Sequence, residues 1–249
     1  MIPIKSDSEI EIMAVGGEKL GRIKNALAAA VKAGVRASEI EGLAVGLIKE
    51  EGAEASFKKV PGYHWATCVN VNAGLVHGIP VASVVFKKGD IVSIDVGIYY
   101  KGFHTDTSIS VGVEVSPENR KFLDTGSEAL AKAIKMAKEG NYIYDISKAI
   151  EDTVEGAGYT TIKALVGHGV GRELHEEPQI PCFVPGSRQE SLVIKKGMVL
   201  AIEVMYAMGS DKVEILEDGW TIAMRDDKIS GLFEDTVAVT SKDPKVLTR

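Results

Sequence analysis

The chain has 249 residues, 45% apolar and 26% charged, a balance ordinary for a soluble globular protein with room for a sizeable core. Its net charge of −6 gives no electrostatic reason to expect nucleic acid, and no apolar run reaches the roughly 20 residues a membrane helix needs. Lys5, Asp7, Glu9, Glu11 and Glu18 interrupt the N-terminus and argue against a signal peptide. The two cysteines, Cys68 and Cys182, form neither a metal-type spacing nor a disulfide framework, so a reducing, cytoplasmic setting is expected.

Ser6-Asp7-Ser8-Glu9 reads as a capping box, and Met13, Leu20, Ile23, Leu27 and Val31 follow at helical spacing up to Gly34. Ser38-Glu39-Ile40-Glu41 opens a second helix that Gly52 stops. Two strands, 91–99 and 103–111, flank a Lys101-Gly102 turn. Ser116-Pro117 fits the cap and first position of a third helix ending near Gly140, and a fourth runs over 145–158.

Two stretches read alike. Lys87-Lys88-Gly89 leads into an apolar strand carrying Asp95; Lys195-Lys196-Gly197, 108 positions on, leads into one carrying Glu203 at the same place. Gly34, Ile40 and Gly52 map onto Gly140, Ile146 and Gly158 at a constant offset. Each half also has a His-Gly element and an Asp-Thr pair, Asp106-Thr107 and Asp235-Thr236. The expectation is an α+β fold built from a duplicated unit. Its halves, about 6–115 and 116–240, would form one domain over 1–249, with a pseudo-twofold antiparallel sheet and two helix pairs packed on its outer face.

An ionised carboxylate in an apolar strand is costly unless paired or metal-bound. Side-chain alternation around the Lys101-Gly102 turn puts Asp95 and Asp106 on one face, where they repel unless a cation or a proton intervenes. Glu203 lies in a still more apolar run, and either Glu234 or Asp235 faces the same point. His168 stands among three glycines that allow close backbone approach, His175 precedes Glu176-Glu177-Pro178, and His77 precedes Gly78. These three histidines read as site residues; His64 and His104 read as structural or surface residues. Four carboxylates and one imidazole suit Mn(II), Fe(II), Co(II) or Zn(II), and four negative charges match two divalent ions of a hydrolytic site.

The chain resembles type I methionine aminopeptidases, of the pita-bread metallopeptidase superfamily. The resemblance runs nearly full length. It is carried by Val76-His77-Gly78-Ile79-Pro80, Ile94-Asp95-Val96, Phe103-His104-Thr105-Asp106-Thr107, Gly167-His168-Gly169-Val170-Gly171, His175-Glu176-Glu177-Pro178, Asp218-Gly219-Trp220-Thr221 and Phe233-Glu234-Asp235-Thr236. It implies metal ligation by Asp95, Asp106, His168, Glu203 and Glu234, the last chosen over Asp235, with Asp106 and Glu234 bridging. It further implies that His77 contacts substrate, that His175 stabilises a tetrahedral intermediate and that Glu203 also handles a proton. Tyr63, Cys68, Leu174 and Trp220 would line a methionine pocket, and Asn72 and Ser230 would lie near a monovalent-cation site. The implied activity is removal of the initiator methionine from nascent polypeptides at the ribosome by a monomeric cytoplasmic enzyme.

Four positions depart from the family pattern: Val204 replaces a proline, Leu174 an aromatic, Asp235 a histidine and His64 a proline. Asp235 would add negative charge beside the metals. Prolidase or aminopeptidase P activity, and an inactive binding module on the same scaffold, are the competing readings. The first is disfavoured because such enzymes normally carry an additional N-terminal domain, for which no room is expected before Ser6; the second has no need of five ligand positions.

Overall fold

A computed structural model describes residues 2–249. The first half runs α1 (Asp7–Ala30), α2 (Ala37–Glu50), β1 (Glu54–Ala55), β2 (Thr67–Val71), β3 (Gly74–Val76), β4 (Ile91–Tyr100) and β5 (Phe103–Gly112). The second runs α3 (Pro117–Met136), α4 (Ile143–Gly156), β6 (Thr160–Thr161), β7 (Val166–Gly169), β8 (Glu176–Pro181), β9 (Val199–Ala207), β10 (Val213–Ile215), β11 (Ile222–Met224), β12 (Ser230–Ala238) and β13 (Lys245–Val246).

The helix starts follow local chemistry. The Ser6 hydroxyl accepts from Glu9 N while the Glu9 carboxylate accepts from Ser6 N, and Ser116 caps α3 with Pro117 in its first turn. The second helix begins one residue before Ser38, because Glu39 reaches back to the Arg36 amide and makes Arg36 the cap. Asp145 does the same for Tyr142, so the fourth helix starts at Ile143 and ends at Gly156. The third helix stops at Met136, short of Gly140.

All strand pairings are antiparallel, and one ten-stranded sheet runs through both halves in the order β1-β4-β5-β12-β9-β7-β8, with β2, β6 and β13 attached. A smaller sheet, β10-β11-β3, stands beside it. Two apolar cores lie under the helices. One packs Leu20, Ile23 and Leu27 of α1 and Ile40 of α2 against Val92, Ile94, Val96 and Ile98 of β4. The other packs Phe122 and Leu130 of α3 and Ile146 and Ile150 of α4 against Leu200, Ile202 and Val204 of β9. Burying such side chains contributes roughly 1.5–3 kcal/mol each.

The duplication extends to single hydrogen bonds. Gly34 N donates to Phe86 O at 2.8 Å, and Gly140 N donates to Ile194 O at 3.0 Å. Ala37 N donates to Val84 O as Ile143 N does to Leu192 O. The Lys-Lys-Gly turns share a left-handed glycine, Gly89 at φ 95° and Gly197 at φ 87°. The His-Gly match does not share a position. His168 lies on β7 opposite Ala201 of β9, and the equivalent place on β2, opposite Ser93 of β4, belongs to Asn70; His77 follows β3 in the smaller sheet. Among the described residues, no helix is long and apolar enough to cross a membrane.

Candidate active site

Strand register assembles the acids. Across the large sheet, Cys68 pairs with Asp95, Asp95 with Ser108, Ser108 with Glu234 and Glu234 with Glu203. Paired residues share a face, so this row carries three carboxylates toward one side. Two residues along the strands lies a second row, Gly97, Asp106, Thr236, Ala201 and His168. Rows two apart face the same way. Small neighbours make room for the acids: a Cβ added at Gly97 would meet Asp106 Oδ1 at 3.0 Å. The register settles the ambiguity that alternation left open, because Glu234 faces Glu203 and its neighbour Asp235 points to the opposite side.

The seam between halves is held by hydroxyls. The backbones of β5 and β12 pair only at Glu234–Ser108 and Asp235–Thr107. Beyond that, Thr107 Oγ1 donates to Glu234 O at 2.7 Å, Thr236 Oγ1 donates to Asp106 O at 2.7 Å, and Ser110 Oγ donates to Leu232 O at 2.8 Å. The threonines of the repeated Asp-Thr pair therefore each anchor a site carboxylate's backbone from the other half.

Oxygen and nitrogen donors converge. Ligand atoms of Asp106, His168 and Glu234 lie within 4.8 Å of one another, and His168 Nε2 is 3.6 Å from Glu203 Oε1. His168 Nδ1 lies 2.8 Å from Gly169 O, which assigns it the proton and leaves the Nε2 lone pair toward the acids. Asp95 Oδ1 and Glu234 Oε1 are buried without any hydrogen-bond partner. Burial, then the neighbouring acids, pushes the Asp95 and Glu234 carboxyls well up; burial lifts Asp106 to about 7 and, with the Asp106 charge, Glu203 to about 8. Burial and nearby His175 lower His168 to about 4, so its imidazole is neutral at pH 7. Crowded acids, orphaned oxygens and an aimed lone pair fit divalent cations, whose charge removes the repulsion that otherwise keeps protons on these groups.

The acids floor a cavity of about 140 Å³ whose wall is apolar. Phe57, Tyr63, Cys68 and Leu174 form a buried cluster apart from the main cores, with Val60, Trp65 and Trp220 against it. The Tyr63 hydroxyl donates to Thr67 O at 2.9 Å and lies 3.2 Å from Cys68 Sγ, and its ring meets Trp220 edge-on at 5.1 Å. A turn in which Asp218 accepts from the Trp220 and Thr221 amides, each at 2.8 Å, presents Trp220. Phe57, Val60 and Val76 join the lining without a sequence signal beyond their apolarity.

His77 and His175 stand on this cavity with open faces. His77 holds φ 58°, a left-handed strain for a residue with a Cβ, beside a Gly78 anchored through its amide to Asn70 Oδ1 at 2.9 Å. The His175 ring meets that of His168 edge-on at 4.5 Å. Its loop is braced by Glu176, whose carboxylate accepts from Arg172 N at 2.8 Å and pairs with buried Lys5. Desolvation lowers both histidines, which favours the neutral ring at pH 7.

Of the other residues singled out in the sequence, only Asp235 needs correction. His104 is buried, with Nδ1 2.8 Å from Ser56 Oγ, because β5 carries it on the face of Asp106; His64 is exposed. Asp235 does not stand beside the acids of the site: Lys24 and Arg249 hold it behind the sheet. Asn72 and Ser230 do meet, but through the Asn72 main chain, with Ser230 Oγ 3.0 Å from both Asn72 O and Gly74 O.

Residues 11–241 match the sequence model of metallopeptidase family M24. The methionine aminopeptidase of Clostridium perfringens is 40% identical, over 100% of this chain and 99% of that protein. Methionine aminopeptidase 1 of Bacillus subtilis is also 40% identical, over 100% of both. The crystal structure of methionine aminopeptidase from Thermotoga maritima superposes with a TM-score of 0.96 at 40% identity, over 100% of both chains. The chain belongs to metallopeptidase family M24, and these relatives, which it matches over their full length, are methionine aminopeptidases.

Proposed function

We propose that this metallopeptidase hydrolyses the first peptide bond of nascent polypeptides and releases the initiator methionine when the second residue is small. The observation that carries the reading is the placement of four acids and an unprotonated imidazole nitrogen on the floor of a narrow, apolar-walled cavity. The names of its full-length relatives point the same way.

Asp95, Asp106, His168, Glu203 and Glu234 would hold two divalent ions, Mn(II), Fe(II), Co(II) or Zn(II), with Asp106 and Glu234 shared between them. Bound ions of this kind polarise a carbonyl oxygen and bring the pKa of water toward neutrality. The chain's own residues do the rest. Tyr63, Cys68, Leu174 and Trp220 receive the methionine side chain, whose sulfur suits aromatic edges. His77 contacts the substrate at the cavity wall. His175 donates a hydrogen bond to the oxygen that gains charge as the carbonyl becomes tetrahedral. Glu203 takes the proton released by the attacking water and passes it on toward the departing amine. Asn72 O, Gly74 O and Ser230 Oγ form an oxygen cluster suited to a monovalent cation. One catalytic domain acting as a monomer on chains emerging from the ribosome in the cytoplasm completes the proposal; the sheet shared by both halves supports the single domain.

The test is cleavage by Mn(II)-, Fe(II)- or Co(II)-loaded protein. Release of methionine from Met-Ala-Ser, with Met-Lys-Ser untouched, is the expected outcome. Cleavage of X-Pro peptides instead, or of no peptide under any metal, would refute it.

A further inference from the structure

Behind the sheet, directly under the acids, lies a second charged cluster that takes no part in the reaction above. Asp235 is 2% exposed, and each of its oxygens is held by a cation. Oδ1 accepts from Lys24 Nζ at 2.7 Å and from Thr248 Oγ1 at 2.9 Å. Oδ2 accepts from Arg249 Nε at 3.0 Å and lies 2.8 Å from Arg249 Nη2. Lys24 comes from α1 and is itself buried, and the tail that supplies Thr248 and Arg249 runs tight against that helix. A Cβ at Gly17 would strike Leu247 O at 2.3 Å, and one at Gly21 would meet the Arg249 backbone at 3.0 Å, so both glycines are needed for the approach.

Lys24 and Thr248 connect this cluster forward to the strands that bear the site, while Arg249 holds it through Asp235 alone. Lys24 Nζ also donates to Thr107 Oγ1 at 2.8 Å, and that hydroxyl donates in turn to Glu234 O. Thr236 N donates to Thr248 Oγ1 at 3.1 Å, and Thr236 Oγ1 both donates to Asp106 O and accepts from Asp106 N. The main chain of Asp106 and of Glu234, one from each half, is thus tied to the same buried charge cluster, Glu234 through the Thr107 hydroxyl and Asp106 through Thr236 and then the Thr248 hydroxyl.

We propose that Lys24, Thr248 and Arg249 are positioning residues for the metal centre: through Asp235, Thr107 and Thr236 they fix the two backbone segments that carry Asp106 and Glu234. The proposal rests on the reading of those two acids as metal ligands. A hydrogen-bonded partner behind a ligand sets its orientation, and losing such a partner typically weakens metal binding ten- to a hundredfold.

The sign of the effect separates positioning from simple charge. Lys24 and Arg249 are positive, so removing either by electrostatics alone would tighten the binding of a cation. The experiment is calorimetric titration of metal-free full-length protein with Mn(II), alongside circular dichroism and a melting curve for each variant. Lys24→Met, Arg249→Met and the uncharged change Thr107→Val are each expected to bind Mn(II) about tenfold more weakly while remaining folded. The double variant Lys24→Met with Asp235→Asn, in which charge is rebalanced but the lysine's hydrogen bonds are absent, is expected to stay weak. Arg249, whose guanidinium is largely exposed, and Thr107 keep the test decisive if Lys24→Met fails to fold. Unchanged or tighter Mn(II) binding in folded Arg249→Met and Thr107→Val, or full recovery in the double variant, would overturn the proposal. Absence of Mn(II) binding by the unaltered protein would overturn it differently, because the metal reading itself would then be wrong.

Discussion

The two halves of the molecule are alike in scaffold and unlike in chemistry. Each runs a helix pair into a Lys-Lys-Gly turn and a long strand, with twin hydrogen bonds such as Gly34 to Phe86 and Gly140 to Ile194. Their inner strands then diverge. In the first half β2 sets Cys68 beside Asp95 and spends Asn70 on the Gly78 amide; in the second β7 puts His168 among the acids. The first half thereby supplies two acids and part of the cavity wall, and the second two acids and the imidazole. Duplication fixes where backbone lies, and the residues that break the repeat decide what binds.

If both halves contribute equally to one metal centre, Asp106→Asn and Glu234→Gln should damage it alike. Each is expected to lower turnover by more than about a hundredfold and to weaken metal binding measured by calorimetry, since each removes a ligand atom rather than its support. A variant in one half that retained full metal affinity would break the comparison. The histidines on the cavity wall should behave differently. His175→Ala is expected to cut turnover by roughly ten- to a thousandfold with metal still bound, the scale of a lost proton or oxyanion partner. Full turnover in that variant would remove His175 from the chemistry.

Metal removal gives a pH test. In the metal-free protein Asp106 and Glu203 keep their protons to about 7 and about 8, whereas unfolded carboxyls ionise near 4. The folded state then binds more protons than the unfolded one, so stability falls as pH rises. His168, neutral down to about 4, acts in the opposite direction below its ordinary 6.5. Between pH 6.5 and 8 the carboxylates therefore dominate, and the chelated protein should melt several degrees lower at pH 8 than at pH 6.5, at roughly 2–4 °C per kcal/mol. Added Mn(II) should abolish the trend; a melting point that rises with pH in chelator would contradict the assignment.

The smallest expected effect sharpens the scaffold side of the comparison. Glu39 and Asp145 occupy twin places, each accepting from the backbone at its helix start. Glu39→Ala should cost about 0.5–1 kcal/mol in denaturant melts, the net worth of one exposed hydrogen bond. Asp145→Ala should cost somewhat more, because Asp145 also binds Arg188 through two bonds of 2.7 and 2.8 Å. Equal costs would mean that the Arg188 fork adds nothing.

Much of this architecture is legible in the letters because it rests on short-range rules. Capping boxes, Pro117, the Lys101-Gly102 turn and alternation in β4 and β5 each act within a few residues, and they place Asp95 and Asp106 together. What alternation alone cannot supply is register between distant strands. The choice of Glu234 over Asp235 came from resemblance, and its physical reason, the pairing of Glu234 with Glu203, belongs to the assembled sheet. The same holds for Asp235, whose partners Lys24 and Arg249 lie 211 and 14 positions away. The His-Gly match misled because two letters carry no register. Phe57 and Val60 were silent because pocket-lining apolar residues look like any others in sequence.

The most direct test of two halves converging on one metal centre is anomalous X-ray diffraction from crystals of the full chain loaded with Mn(II). Two peaks are expected between Asp95, Asp106, His168, Glu203 and Glu234, with Asp106 and Glu234 in reach of both. No ordered metal at saturating Mn(II), or metal bound by residues of one half only, would contradict it.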